Sequence, residues 1–424
     1  MNYGTALSRV LREVDRQREE IVGFLRELLR IPSVTGNERD IQNFISSKLR
    51  EWGIRYDMWE IDEEALLSHP LAEKPSISYR GRPMLVGIVR GAGGGRSLVF
   101  NGHVDTVPAG DRASWTHDPF GGEVVGDLVY GRGASDMKAG VAAYTMAVKA
   151  VLDAGITPKG DVFMHYVVDE ENTSNGTLAA VLRGYVGDGA VNAEASNLEV
   201  QPAVSGSMWF SIYVRGRSAS MSRPHLAVNA IEQAFKVYEA VKRLYEIRVR
   251  ERRHPLYPDV RGVLSLFIGM VTSGHTPSVI PDRAVLRGRM GLLPGETIES
   301  AISELRDYIL RFAELDPWLR YNPPEVRQEG YAAEGAETPV EHPLVQALIQ
   351  SYKDSLGREP VVKGHEGASD MRLLVKVGVP TVCFGPGLIE QMHAAVDEHV
   401  RASYLINSVK VMSALILRWC GFEA

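Results

Sequence analysis

The chain has 424 residues, 45% of them apolar, which is enough for a large core and favours two domains over one; disorder is excluded. A formal net charge of -6 with no block of Lys or Arg leaves no footprint for nucleic acid or anionic lipid, so small metabolites are the expected partners. The opening "MNYGTALSRVLREVDRQREE" is too charged for a secretory signal, no apolar run spans a bilayer, and Cys383 and Cys420 are too few for a disulfide framework or a cysteine zinc site. The expectation is a soluble cytoplasmic protein in which any metal falls to histidine and carboxylate.

Apolar residues at helical spacing (Val10, Val14, Ile21, Leu25, Leu28) predict one surface-docked helix over Thr5 to Arg30, ended by Pro32. Short strand-like segments follow at Met84 to Val89, Ser97 to Asn101, Val162 to Val168 and Ala190 to Ala193, with helical stretches between the later ones. Such alternation predicts a mostly parallel sheet covered on both faces. "GAGGG" at Gly91 to Gly95 opens no helix and reads as a flexible hairpin turn rather than a phosphate loop.

From Val204 the style changes. Strand (Trp209 to Val214), helix (Val228 to Leu244), strand (Val263 to Met270), strand (Ala284 to Met290), helix (Thr297 to Phe312) and strand (Glu325 to Gln328) follow in turn. That βαββαβ order is the ferredoxin-like unit. Helices at Pro343 to Leu356 and Ser369 to Lys376 and the strand Thr381 to Phe384 resume the first pattern. The expected fold is α/β: a mostly parallel mixed sheet covered by helices (residues 1-203 and 331-424), interrupted by an inserted α+β domain at 204-330.

Polar groups gather where strands end. His103 and Asp105, two apart after the strand "LVFN", point to one face, and an imidazole that binds metal through one nitrogen commonly gives its other N-H to a carboxylate. Asp136 stands where a glycine-rich loop becomes a helix; Ser135 or Asp136 would serve as N-cap, and capping leaves a carboxylate oxygen for ligation. Small residues after it (Ala139, Gly140, Ala142, Ala143) let that helix pack closely. Asp169, Glu170 and Glu171 run out of an apolar strand; alone they would read as a solvated loop, but they lie where α/β proteins assemble their sites. Glu194 closes the strand Ala190 to Ala193. His393 is the histidine nearest the end of Thr381 to Phe384, with His399 as its rival.

The segments "NGHVDTVP", "WTHDPFGGEVVGDLVYGRGASDMKAG", "DEEN", "AEAS" and "FGPGLIEQMHAAVDEHV", in this order, resemble a dizinc metallopeptidase family. That family includes acetylornithine deacetylase, succinyl-diaminopimelate desuccinylase, aminoacylase and carboxypeptidase G. "LRELLRIPSVTGNE" and "RPHLAVNAI" extend the likeness over nearly the whole chain. The resemblance implies that His103 and Glu194 hold one metal, that Glu171 and His393 hold the other, and that Asp136 bridges them. Asp105 then matches the residue that orients the ligating histidine, and Glu170 the general base. The implied cofactors are two divalent ions, zinc with cobalt or manganese as substitutes. The implied reaction is hydrolysis of the amide of an N-acyl amino acid; dipeptidase or carboxypeptidase action is the alternative, and a catalytically silent metal-binding relative the rival. The inserted domain would act as lid and dimerisation surface of a homodimer.

The chain also departs from the pattern. Many relatives carry a histidine at the position of Ser220, which hydrogen-bonds the oxyanion across the dimer, and an asparagine at the position of Ser278. His225 and His275 are candidate replacement donors, each with an exposed-turn reading beside it. Ser369 and Asp370 match residues that line the pocket in relatives. Arg289 and Arg372 are candidates to bind a substrate carboxylate, since arginine does so bidentately, or else structural ion pairs.

Overall fold

A computed structural model describes residues 1-220, 222-392 and 395-423. The helix expected over Thr5 to Arg30 is two helices, α1 (Tyr3–Arg16) and α2 (Arg18–Leu29). Gln17 breaks the run because its buried side chain donates to Asp153 Oδ2 at 2.7 Å, a tertiary bond that overrides local periodicity. The chain continues through α3 (Arg39–Glu51), β1 (Arg55–Glu60), β2 (Pro83–Val89), β3 (Leu98–His103), α4 (Ala139–Asp153), β4 (Val162–Val167), α5 (Asn175–Leu182) and β5 (Ala190–Asn192).

β3 runs past the expected break at Asn101 to His103. The buried amide of Asn101 is satisfied, donating to Thr177 Oγ1 at 2.7 Å and accepting from Asn192 Nδ2 at 2.9 Å, so nothing forces the strand to stop. α4 is buried along almost its whole length. Gly140 lets it rest on the main chain beyond β5: a Cβ there would stand 1.9 Å from the Ala193 carbonyl oxygen. The N-cap expected at Ser135 or Asp136 is absent. Residues Ala134–Lys138 form a wide turn after left-handed Gly133, and the N-H groups of Ser135 and Asp136 go to the Glu398 carboxylate at 2.8 and 3.1 Å.

By contact, the chain divides into two compact units, one of 1-202, 337-363 and 369-424, the other of 203-336 and 364-368. The second contains β6 (Gly206–Arg215), α6 (Ala230–Glu251), β7 (Leu266–Ser273), β8 (Arg283–Leu292), α7 (Ile298–Glu314) and β9 (Glu325–Ala333). Its four strands lie antiparallel in the order β7-β8-β6-β9. Alternation gives the sheet two characters: Phe210, Ile212, Leu286 and Met290 pack with Val237 and Val241 of α6 and Leu305 of α7, whereas Trp209, Phe267 and Met270 are exposed.

The first unit resumes with α8 (Pro343–Leu356), α9 (Met371–Lys376), β10 (Thr381–Cys383) and α10 (Ala402–Leu415). Its six-stranded sheet runs β1-β2-β4-β3-β5-β10, parallel from β4 to β10 and antiparallel at the β1 and β2 edge. β2 and β3 flank β4 rather than pair with each other, so Gly91 to Gly95 is not the expected hairpin turn. It crosses the start of β4, where Ala92 and Gly93 donate to the carbonyls of Pro158 and Lys159, both at 2.9 Å. The carboxyl ends of β3, β4, β5 and β10 therefore open on one edge of the parallel part, where loops of α/β sheets gather polar groups.

Candidate metal centre

His103 is the last residue of β3 and almost fully buried. Its Nδ1 lies 2.8 Å from the main-chain oxygen of Asp105, which makes Nδ1 the N-H donor and turns the lone pair of Nε2 toward the acids. Nε2 stands 3.2 Å from Asp136 Oδ1, 3.6 Å from Glu194 Oε1 and 3.8 Å from Glu170 Oε2. Among the described residues two sets of potential ligand atoms converge, His103 with Asp136 and Glu171, and His103 with Glu170 and Glu194, each within 4.8 Å.

Two of the acidic segments are held by neighbours distant in the chain. The Asp105 carboxylate is expected on the imidazole but stands 3.7 Å from Nδ1. It accepts instead from Thr35 Oγ1 at 2.9 Å and from the N-H groups of Glu170 and Glu171 at 3.2 and 3.4 Å. The main chain of Asp105 thus orients the histidine while its side chain fixes the acidic loop. The Asp136 turn hangs on Glu398, which also accepts from Arg132 Nη1 at 2.7 Å and Gly133 N at 2.9 Å. Glu194 lies two residues beyond β5, and its Oε2 is buried with no hydrogen-bond partner among the described residues.

The electrostatics are those of acids crowded out of water. Burial, then the charges of Asp370, Glu194 and Asp136, hold Glu170 well above the usual carboxylate range against the pull of His103. Glu171 is pushed up to about 9 by burial and Asp136, and Glu194 to about 8 by burial with Asp136 and Asp370. Burial would lower His103, but the Asp136 hydrogen bond and the charges of Glu194, Glu170 and Asp105 raise it overall. A set of one imidazole and several carboxylates, with an orphaned oxygen on Glu194, fits divalent cations: nitrogen and oxygen donors suit zinc, and positive charge relieves the repulsion.

Not every expected residue falls in this cluster. His393 lies outside the described residues. His399 is in neither ligand set; its Nδ1 faces the Asp397 carbonyl at 2.8 Å and its ring lies against Tyr130. Ser369 is buried beside the Cys383 thiol at 3.5 Å. Arg372 is paired with Glu73 at 3.1 Å. In the second unit Ser220 and His225 are exposed, His275 and Ser278 line a cleft of about 760 Å³ with Pro224, and Arg289 donates to Ser265 on the sheet face that carries Trp209. Asp370, expected with Ser369 on the pocket wall, is buried, and its Oδ2 accepts from Thr177 Oγ1 at 2.6 Å. The residue that sequence reasoning misses is Glu398, which stands in the quoted "VDEHV".

Comparison with known proteins adds the following. The family model for Peptidase family M20/M25/M40 matches residues 99-418. The chain is 28% identical over 436 residues to N-formyl-4-amino-5-aminomethyl-2-methylpyrimidine deformylase of Bacillus subtilis (strain 168), covering 97% of each. It is 35% identical over 230 residues to succinyl-diaminopimelate desuccinylase of Methylocella silvestris, 52% of this chain and 55% of that one. Among solved structures, aminopeptidase PepT from Bacillus cereus matches with a TM-score of 0.71 at 18% identity, over 94% of this chain and 98% of that chain, a likeness of fold.

Proposed function

Because the chain belongs to peptidase family M20/M25/M40, we propose that it is a metal-dependent amidohydrolase that removes a small acyl group from an amine. The observation that carries this reading is the excess of carboxylate around one buried imidazole: buried Asp136 and Glu194 and half-buried Glu170 and Glu171 against His103. In the proposed roles His103 and Glu194 hold one ion, Glu171 and His393 a second, and Asp136 both. Zinc is the first choice, cobalt or manganese the substitutes. Divalent metal bound there supplies Lewis acidity, lowering the pKa of water and polarising the substrate carbonyl.

The remaining steps belong to the protein. Glu170 takes the proton of the attacking water and returns it to the departing amine, one carboxyl group serving as base and then acid. Asp105 and Glu398 keep the two acidic loops in place. The acyl half is small in the relatives: formyl in the deformylase, succinyl in the desuccinylase, by their names. The amine half is an amino acid by sequence resemblance, with a terminal peptide bond as the variant.

The second unit is proposed as lid and homodimer surface. Support comes from the free edge strand β7 and from exposed Val271 on it beside Phe235 and Tyr238 of α6. No helix among the described residues is long and apolar enough to cross a membrane. The test of the function is a screen of formyl, acetyl and succinyl derivatives of amines and amino acids, and of dipeptides, with zinc, cobalt and manganese. Turnover of an acyl compound, lost on chelation, is expected; metal-loaded protein that hydrolyses none of them overturns the reading.

A further inference from the structure

Between β1 and β2, residues 61-82 form a long connection whose one regular piece is the short helix Glu63–Leu67. Connections of this length are uncommon in compact units and usually carry function. This one is tied down against the segment that bears Glu170 and Glu171. Asn175 and Glu73 exchange two hydrogen bonds, Asn175 Nδ2 to the Glu73 carbonyl at 2.7 Å and Glu73 N to Asn175 Oδ1 at 3.0 Å. Asn172 Nδ2 donates to Ser76 Oγ at 2.7 Å, and Tyr79 OH to Asp169 Oδ2 at 2.6 Å. Buried Arg82 donates to Glu38 at 2.6 Å and to Asp169 at 3.0 Å. The connection is therefore a strap, pinned at residues 73, 76, 79 and 82.

The strap aims one carboxylate. With its main chain fixed on Asn175, Glu73 reaches Arg372 Nη2 at 3.1 Å. Arg372 is the second residue of α9, two after Asp370, whose charge acts on both Glu170 and Glu194. It is 5% exposed, and a guanidinium so buried requires an anion beside it. A substrate carboxylate would meet that need from outside; here the chain meets it from within. To bind Arg372, a carboxylate on the substrate would have to displace Glu73 or lie beside its charge, and the pinned main chain of Glu73 keeps that charge in place. An amide without a carboxylate leaves the pair undisturbed.

We propose that Glu73 is a specificity-determining residue that closes Arg372 to substrate carboxylates, so that the preferred substrates are acylated amines with no carboxylate on the amine half. The inference rests on the amidohydrolase reading and narrows it against N-acyl amino acids.

Two probes that differ only in the carboxylate isolate the effect: N-formyl-2-phenylethylamine and N-formylphenylalanine. For the metal-loaded parent, kcat/KM should favour the amine derivative by roughly tenfold or more. Glu73→Gln should move that ratio by roughly tenfold toward the phenylalanine derivative, through KM rather than kcat, because ground-state binding is what changes. Glu73→Asp, which keeps the charge, should hold closer to the parental ratio. A parent that prefers the phenylalanine derivative, or a ratio that Glu73→Gln leaves in place, overturns the proposal. Calorimetric binding of N-formylphenylalanine to the same proteins needs no turnover: tighter binding to Glu73→Gln supports the proposal and equal binding overturns it. Should the wider screen find no hydrolysis, the amidohydrolase reading falls while this binding comparison still decides the role of Glu73.

Discussion

Each unit of this chain holds a cluster of charged side chains withdrawn from water, and one of the two clusters is balanced. In the second unit Arg248, its side chain fully buried, meets Glu304, Glu296 at 2.9 Å and the Gly291 carbonyl at 3.2 Å. Arg252 reaches the same two glutamates at 3.0 and 3.3 Å. Two guanidinium groups face two carboxylates, and the cluster joins α6 to α7 and the loop after β8. In the first unit the carboxylates of Asp136, Glu170, Glu171 and Glu194 gather around the single imidazole of His103. Balanced burial is architecture. Unbalanced burial costs stability and persists where something outside the polypeptide supplies the missing charge, which is why strongly shifted acids in a cleft point to function.

The comparison breaks first if the unbalanced cluster needs no cation. Elemental analysis should find up to about two equivalents of divalent transition metal per chain, and His103→Ala or Asp136→Ala should lower that content and remove most activity. Full metal content in both variants would withdraw the ligand assignment. Next in size, Glu170→Gln should cut turnover by a factor on the order of 10² to 10⁴ while leaving metal nearly intact. Glu171→Gln should instead weaken one ion, so measuring both quantities for both variants tells the two adjacent glutamates apart; the reverse pattern would exchange their roles.

The balanced cluster should fail in the opposite manner. Arg248→Met leaves Glu296 and Glu304 short of a partner and should cost roughly 3 kcal/mol, toward the low end for a broken buried pair. The discount reflects glutamate side chains that keep 18% and 27% of their exposure. Urea unfolding would register the loss, and metal content should not change. A variant that loses metal instead of stability would erase the distinction between the clusters.

His165, on β4, shows a third way of burying a titratable group. Its ring is fully buried, and burial pushes it down to about 4 from 6.5 against the opposing pull of a main-chain hydrogen bond with Tyr185. The group is therefore neutral in the folded chain. Below pH 6.5 the unfolded chain takes up a proton that the folded chain refuses, so stability present above that pH is lost as pH falls toward 4. At pH 5 the loss should be roughly 2 kcal/mol, and His165→Leu should flatten that part of the stability profile.

The candidate metal cluster was legible in the sequence because its members follow apolar strands, and a parallel sheet brings the ends of such strands to one edge. His103, Glu170, Glu171 and Glu194 could be placed without coordinates for that reason. Residues that act on those members were harder to read. The Asp105 side chain turns to a loop 65 residues away, a pairing no local pattern announces. Glu398 holds Asp136 across 262 residues from inside a motif in which the histidines drew attention. Residues 61-82 have neither helical nor alternating periodicity, so the strap left no trace to read, and Glu73 meets Arg372 from 299 residues away. The broken helix at Gln17 has the same cause: a side chain answering a distant partner rather than its own turn.

Gly140 has a bearing on descent as well as on packing. α4 begins just after the Asp136 turn and rests, through this missing side chain, on the carbonyl of Ala193, the residue before Glu194. The span between two proposed ligands is thus gauged by a hydrogen atom, since a methyl group there would meet that oxygen at 1.9 Å. A lineage under selection for a new amide can alter exposed positions such as Ser220, His225 or Ser278 with little disturbance to the core. At residue 140 it has no such latitude, because one added carbon would lift the helix and carry Asp136 away from Glu194.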